Sequence, residues 1–560
     1  MWFPDHPARP LGWSEPGRTT LEIKTGSWRT RHPRYVEATA PCRARCPAAE
    51  PIPHWVERAR LGDYASAWAL IREENPFPAV LGRVCAHPCE SGCHRAAHDG
   101  AVAINALERF VGDWGLRHGR PTRPTAARPE RIAVVGGGPA GLTCAYHLVR
   151  LGYRVTVFEA AAELGGLLRH GIPAYRLPRA VLDREIELVL DLGIEVVTGR
   201  RLGAEIGWDA LAAYDATFLA VGASRPRQLG IAGESARRIG DGVAFLRAVN
   251  AGERPDVGRR VAVIGGGSTA MDVARCARRL GAPSVTVLAL EAHDAMDATP
   301  EEVTQALAEG VEIRHGVGVA AFVETDGAVS GVVTAPARLE RGPDGEIRPA
   351  FGPGPRGVVG ATDVILAIGQ GLDPSGLPIG VRVADGLIAV GAAGATSAER
   401  VFAGGDAASV QRTVAHAVAA GTRGARAIDW GFSGRHTVPH EAPRPWAVPE
   451  PGRVVAASEI DMELHPRVSR VARRERWGAD SIGSFAEVAE GIGERAARAE
   501  AARCLTCGRC TGCDVCLRVC PDMAISRDAG GYRVGSEYCK GCGLCAAECP
   551  RGALVMVATA

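Results

Sequence analysis

Apolar residues recur at helical spacing early in the chain: Trp55, Val56 and Ala59, then Tyr64, Ala67, Trp68 and Ile71, predict a small helical unit around residues 53–75. A second apolar face, Ile104, Leu107, Val111 and Trp114, predicts a further helix and carries Glu108 within its stripe. Beyond residue 130 the period changes. RIAVV and RRVAVI are β-branched runs that each lead into a glycine-rich turn and a helix, 129 residues apart from Gly136 to Gly265. That spacing predicts two nucleotide-binding α/β units. The uncharged run Ile132–Val149 has the length of a membrane helix, but its four glycines, Pro139 and His147 argue against a span.

A chain of 560 residues supplies three or four domains. Proline-rich RPTRPTAARPE (120–130) and HTVPHEAPRPWAVPEPG (436–452) read as linkers between them. With 65 basic against 63 acidic residues, no global field draws nucleic acid or an anionic membrane, and every basic residue is arginine except Lys24 and Lys540. The opening MWFPDHPARP lacks the apolar core of a signal peptide, so the seventeen cysteines predict metal or redox chemistry in the cytoplasm rather than a disulfide framework. Trp2, Phe3 and Trp13 fit an interface arm or a loosely packed tail equally well.

Residues 131–159 run strand, turn, helix, strand, acid. Gly136 permits the turn, Gly138 admits a pyrophosphate and Gly141 lets helix and strand approach, while Pro139 and Ala140 open the helix whose N-terminus faces the phosphates. Glu159 stands where an acid binds a ribose hydroxyl. Residues 259–291 repeat the design with Gly265, Gly267, Ser268, Thr269 and Ala270, and predict a second dinucleotide site. Cys144 and Cys276 stand singly on the helices after the turns and read as small core residues, which argues against a disulfide reductase.

The tail carries the most specific spacing in the chain. Cys510, Cys513, Cys516 and Cys520-Pro, then Cys539, Cys542, Cys545 and Cys549-Pro, are two copies of the bacterial ferredoxin run. In that run the fourth cysteine serves the other cluster, so the sets are Cys510, Cys513, Cys516 with Cys549 and Cys539, Cys542, Cys545 with Cys520. Paired thiolates also suit zinc, which this doubled spacing disfavours. Seven cysteines remain for metal: Cys42, Cys46, Cys85, Cys89, Cys93, Cys504 and Cys507, one short of two four-iron clusters.

The first glycine motif looks like the FAD site of flavoproteins with two dinucleotide domains. GGLLRHGIPAYRLP (165–178) and VFAGGDAASVQRTVAHAVAAG (401–421) resemble the flavin segment and second FAD signature of the glutamate synthase small-subunit family. The resemblance covers approximately residues 41–432 plus 480–508. It implies a multidomain α/β fold: an N-terminal extension (1–40), a helical iron–sulfur domain (41–128), and an FAD-binding domain in two parts (129–257 and 358–432) interrupted by a Rossmann-like NAD(P)-binding domain (258–357). A linker and helix (433–508) then return a cysteine pair, and a bacterial-type ferredoxin domain (509–560) follows. Flavin contacts are implied for Gly166, Leu167, Arg169, Ile172 and Gly405, with Asp406 on the ribityl chain and Thr413 and Val414 near the isoalloxazine, and a cofactor contact for Gly369. FLAVGA (218–223) and DVILAIGQ (363–370) resemble the return strands between the two dinucleotide domains.

EAARCLTCG (500–508) resembles the cysteine pair that precedes the rest of the N-terminal cluster domain in that family; here it stands at the far end and is expected to fold back. Family members place an oxygen ligand at the position of Glu108, which otherwise reads as one end of an arginine salt bridge. One consistent grouping is Cys46, Cys85, Cys89 with Glu108, and Cys42, Cys93 with Cys504 and Cys507. Many members carry an arginine pair where Leu290 and Glu291 stand. A carboxylate there repels a 2′-phosphate, so NAD(H) is expected over NADP(H), although Arg314 could substitute.

The resemblance implies an electron-transfer subunit exchanging hydride between NAD(H) and FAD, and single electrons through four [4Fe–4S] clusters. Its partners would be catalytic subunits of a hetero-oligomeric 2-oxoacid or aldehyde oxidoreductase, or a soluble ferredoxin. Competing readings are a glutamate synthase small chain and a cluster scaffold without nicotinamide turnover. The fused ferredoxin departs from the small-subunit pattern and weighs against glutamate synthesis. No side chain is expected to be an indispensable acid or base.

Overall fold

The computed structural model describes residues 24–124, 128–341, 347–353, 356–433, 453–476, 478, 482–529 and 531–559. Trp2, Phe3, Trp13 and the proline-rich linker 436–452 lie outside them. Two five-stranded parallel sheets form the centre of the chain. The first runs Val401–Ala403, Ala216–Leu219, Arg131–Val135, Arg154–Phe158, Glu195–Val197. Its central strands are apolar and buried because helices cover the sheet. Helices Pro139–Arg150 and Val414–Ser433 share one core through Leu142, Ala145, Val418 and Ile428.

The second sheet runs Glu312–Arg314, Ser284–Leu288, Arg260–Ile264, Asp363–Leu366, Ile239–Asp241. It carries an antiparallel extension of Val317–Thr325, Ala328–Arg341, Ile347–Phe351 and Gly357–Gly360. Its packing takes in elements on both sides of the expected limits of 258 and 357. Strand Ile239–Asp241 and helix Gly242–Asn250 come before the first limit and strand Asp363–Leu366 after the second, yet all three pack in this unit. DVIL is buried throughout, and its apolar run Val364–Leu366 suits the middle of either sheet. Pairing with Arg260–Ile264 decides which one.

Helices Ile52–Leu61, Tyr64–Ile71, Pro78–Val84 and Ile104–His118 build the N-terminal unit, with short helices Pro41–Arg45 and Pro88–Ser91 in contact beside them. The chain returns to it after the second sheet: Val455, Ile460, Ala497, Ala501 and Leu505 share one core with Trp55, Val56, Leu107 and Val111. In the C-terminal unit, strand Leu554–Ala558 pairs antiparallel with Arg31–Tyr35, so part of the expected N-terminal extension is a strand of the ferredoxin region. Among the described residues no helix is long and apolar enough to cross a membrane.

Candidate functional site

The two glycine turns sit at the carboxyl ends of their sheets, where open α/β folds take ligands. At the first, Gly136 has φ +113°, and a Cβ there would lie 2.2 Å from the Ala220 carbonyl oxygen. Gly138 meets nothing closer than the Gly166 Cα at 3.8 Å, which leaves the backbone open to a diphosphate. Glu159 is fixed by accepting from the Gly137 and Ala161 amides at 2.6 and 2.7 Å. This cradle fits an adenosine diphosphate moiety.

The second turn is built alike, with Gly265 at φ +131° and open space around Gly267. One detail differs. Phe158 and Leu288 accept the amides of Gly136 and Gly265 at 2.8 and 3.0 Å, so the residue equivalent to Glu159 is Ala289. Glu291 stands two residues later but its side chain folds back: a Cβ on Gly266 would fall 2.3 Å from Glu291 Oε2. That oxygen is buried without a hydrogen-bond partner among the described residues, an acceptor suited to a hydroxyl.

A cavity of about 540 Å³ lies between the two units. Pro139, Leu167, Ile172, Asp406, Thr413 and Val414 line its first side, and Ser268 and Thr269 its second. Burial pushes the Asp406 carboxyl up, and Thr413 caps the long helix through its hydroxyl, which accepts from the His416 amide at 3.3 Å. Arg169 does not line the cavity, because its guanidinium is held by the Leu164 carbonyl at 2.6 Å and by Asp183 at 2.5 Å. Gly369, Gly405, Ala140 and Ala270 are not among its lining residues. Sequence reasoning missed two further walls. Cys85 and His87 reach the cavity from the helical unit, and Arg473, Val488 and Ala489 from the returning chain.

The thiols gather in four sets. Cys510, Cys513, Cys516 and Cys549 surround one small void, and Cys520, Cys539, Cys542 and Cys545 another. Cys42, Cys93, Cys504 and Cys507 surround a third, so the distant pair does return to the N-terminal unit. Burial raises the Cys42 thiol well above its ordinary value, and Cys504, Cys507 and Cys93 raise it further. Cys46, Cys85 and Cys89 form the fourth set, each raised first by burial and then by neighbours that include Glu108. Crowded thiols with a buried member that its neighbours hold protonated need the positive charge of metal to bind as thiolates. Among the described residues no three His, Cys, Asp or Glu side chains converge as on a single ion. Thiols arranged around a void fit a four-iron cube better than tetrahedral zinc, which would draw sulfurs to about 3.8 Å apart.

Glu108 is buried and pairs with no arginine among the described residues. Asn75 Nδ2 donates to Glu108 at 3.0 Å and to Glu50 at 2.9 Å, and the two carboxyls share a hydrogen bond. Burial lifts Glu50 to about 7 and Glu108 well above the carboxylate range. Glu50 was missed in the sequence; an acid four residues after Cys46, within an apolar stretch, was its signal. Cys144 and Cys276 are fully buried within the apolar cores of the first and second dinucleotide units.

Comparison with known proteins agrees with this anatomy. The family described as pyridine nucleotide-disulphide oxidoreductase matches residues 129–424, dihydropyrimidine dehydrogenase domain II with a 4Fe-4S cluster matches 34–120, and a 4Fe-4S dicluster domain matches 509–553. The chain is 38% identical over 508 residues to the NADP(+)-dependent formate dehydrogenase subunit beta of Moorella thermoacetica, covering 84% of this chain and 71% of that protein. It is 34% identical over 515 residues to the NADPH-Fe(3+) oxidoreductase subunit beta of Geobacter sulfurreducens, covering 85% and 76%. The glutamate synthase [NADPH] small chain of Escherichia coli is 34% identical over 420 residues, covering 69% and 87%. The chain therefore belongs to the pyridine nucleotide-disulphide oxidoreductase family, as a glutamate synthase small-chain-like, FAD-dependent oxidoreductase subunit with 4Fe–4S domains at both ends.

Proposed function

We propose that the chain is the electron-transfer subunit of a larger oxidoreductase, exchanging two electrons with NAD(H) at FAD and passing them singly through four [4Fe–4S] clusters to a partner. The observation that carries this reading is Cys85, which lines the cavity between the dinucleotide units and belongs to the nearest thiol set. Bound FAD supplies the conversion between a hydride and single electrons. Each NADH yields NAD⁺, one proton and two electrons, and each cluster carries one electron at a time.

Covalent geometry orders the wire. Cys42 lies within the short helix Pro41–Arg45 with Cys46 just after it, and Cys89 lies within Pro88–Ser91 with Cys93 two residues past its end. Each stretch gives one thiol to the Cys85 set and one to the Cys42 set, four residues apart in the chain. Cys507 and Cys510 are separated by two residues, so the next set lies within about 11 Å along the chain. The last step is the crossed pair in which Cys520 and Cys549 exchange clusters.

Glu108 is assigned as the oxygen ligand of the Cys46, Cys85 and Cys89 set. Glu291 favours NAD(H), because its unpartnered Oε2 suits a free ribose hydroxyl and opposes a 2′-phosphate. The Moorella and Geobacter relatives are named for NADP and NADPH, so both nucleotides belong in the test. The partner carries the substrate site, for a small carbonyl compound of the formate, aldehyde or 2-oxoacid class, or is a soluble ferredoxin. A reducing compartment, the cytoplasm, suits seventeen cysteines none of which is in a disulfide. The decisive experiment is anaerobic titration of the FAD- and iron-loaded chain with each nucleotide. NADH is expected to bleach flavin and cluster absorbance and to drive viologen reduction. A loaded protein reduced by neither nucleotide would leave only the scaffold reading.

A further inference from the structure

The segment 165–178 wraps the flavin side of the cavity and carries Tyr175 and Arg176, which cross to the nicotinamide unit. Arg176 Nη1 donates to Asp272 Oδ2 at 2.6 Å, and Nη2 pairs with Glu302 Oε1 at 2.6 Å. Asp272 lies on helix Ser268–Arg279 and Glu302 on helix Pro300–Ala308. The Tyr175 hydroxyl donates to the other Asp272 oxygen at 3.2 Å. Ser268, the first residue after the glycine turn, donates from Oγ to Glu302 Oε2 at 2.7 Å. A continuous set of bonds thus joins the flavin segment to the turn that takes the nicotinamide pyrophosphate, and all five residues line the cavity.

The three charged side chains keep only 15%, 6% and 8% of their exposure for Arg176, Asp272 and Glu302. One cation between two buried carboxylates is needed to hold them together; without it they repel across a poorly solvated gap. The planar fork of an arginine can serve both acids, whereas a lysine offers a single point charge.

We propose that Arg176 is a positioning residue for hydride exchange: by clasping Asp272 and Glu302 it sets the nicotinamide-binding helices against the flavin side of the cavity. The inference rests on the exchange proposed above, in which the C4–H bond of NADH breaks, hydride passes to the flavin and NAD⁺ is left. Arg176 gives up no proton in this step. It acts on distance and angle, to which such transfers respond by roughly 10²-fold for a misplacement of about 1 Å.

The test compares Arg176→Met and Arg176→Lys with the unaltered full chain, loaded with FAD and iron. Stopped-flow reduction of the flavin band by saturating NADH is followed together with hydrogen–deuterium exchange over residues 268–279 and 300–308, the latter also on flavin-free protein. Arg176→Met is expected to slow the limiting rate roughly 10²-fold without restoration by more NADH. FAD content, iron content and reduction by dithionite stay unchanged, exchange in the two helices quickens, and Arg176→Lys falls between. A limiting rate within about twofold of the unaltered chain, with unchanged exchange, overturns the proposal. Should Arg176→Met fail to hold FAD, Glu302→Gln removes one arm and keeps the Asp272 pair; an unchanged rate and exchange there overturn it equally. An unaltered chain that neither NADH nor NADPH reduces refutes the parent reading instead, and the exchange comparison on flavin-free protein still decides the clasp.

Discussion

Arg503 decides whether the C-terminal cysteine pair stays docked. It precedes Cys504, is 2% exposed, and donates to Glu500 at 2.6 Å and Asp99 Oδ1 at 2.9 Å. It also reaches the carbonyls of Gly100 at 2.6 Å and Val468 at 2.9 Å. Arg503→Met keeps most of the stem and removes the charge. Asp99 would retain Arg95 at 2.6 Å, whereas Glu500 would retain only the amides of Ala103 and Val471, both at 2.8 Å. Breaking a buried pair costs about 3–5 kcal/mol, and the surviving Arg95 contact argues for the lower end, about 3 kcal/mol. That raises the undocked population of the segment about 10²-fold. The assay is iron per FAD in anaerobically purified protein, with paramagnetic resonance of the reduced form and alkylation of free thiols. Iron should fall from about sixteen to about twelve per FAD, with Cys42 and Cys93 becoming alkylated and FAD retained. Full iron content with an unchanged unfolding midpoint would refute the argument that this guanidinium holds the cluster domain closed.

Three further outcomes are expected. Glu291→Arg should move the ratio of kcat/KM for NADH over NADPH towards NADPH by roughly tenfold or more, since it replaces a repelling charge with an attracting one; an unmoved ratio would show that Glu291 does not read the ribose. Glu108→Ala should change the resonance of one cluster while leaving those of the ferredoxin region intact, and identical spectra would remove Glu108 from the ligand set. Glu185 accepts from the Ala79 and Val80 amides at 2.9 and 2.8 Å, and burial raises its carboxyl to about 8. Because the folded chain binds this proton more tightly than the unfolded one, its stabilising effect is full below the unfolded value near 4.5 and is lost as pH rises through 8. The loss is a few kcal/mol at most. Unfolding midpoints should therefore drop between pH 5 and pH 9 and drop less in Glu185→Gln; equal slopes would contradict this assignment.

Features written in local spacing were legible before any coordinates. The strand–turn–helix units around Gly136 and Gly265 and the eight ferredoxin cysteines depend on neighbours within a few residues, so their residue types declare their geometry. Features decided by tertiary pairing were not. The strand Arg31–Tyr35 has no apolar alternation of its own and exists because Leu554–Ala558 supplies its partner. Glu50 gains meaning only when folding places it against Glu108 and Asn75. The polar chain around Arg473 and Glu487 reads as a linker, yet Glu487 accepts from Arg83 and pairs with Arg109, both at 2.8 Å, and so fixes a wall of the cavity. The position of Glu291 shows a subtler limit: counting from the strand end places it two residues late, and only the folded side chain returns its carboxylate to the turn.

The most direct test of the central claim, that one chain wires a flavin to four clusters assembled from both ends, is a joint count of iron, FAD and alkylatable thiols in the anaerobically purified protein. About sixteen irons per FAD are predicted, with the thiols of Cys42, Cys46, Cys85, Cys89, Cys93, Cys504 and Cys507 protected until the clusters are removed. About eight irons per FAD, with those seven cysteines alkylated in the folded state, would contradict it.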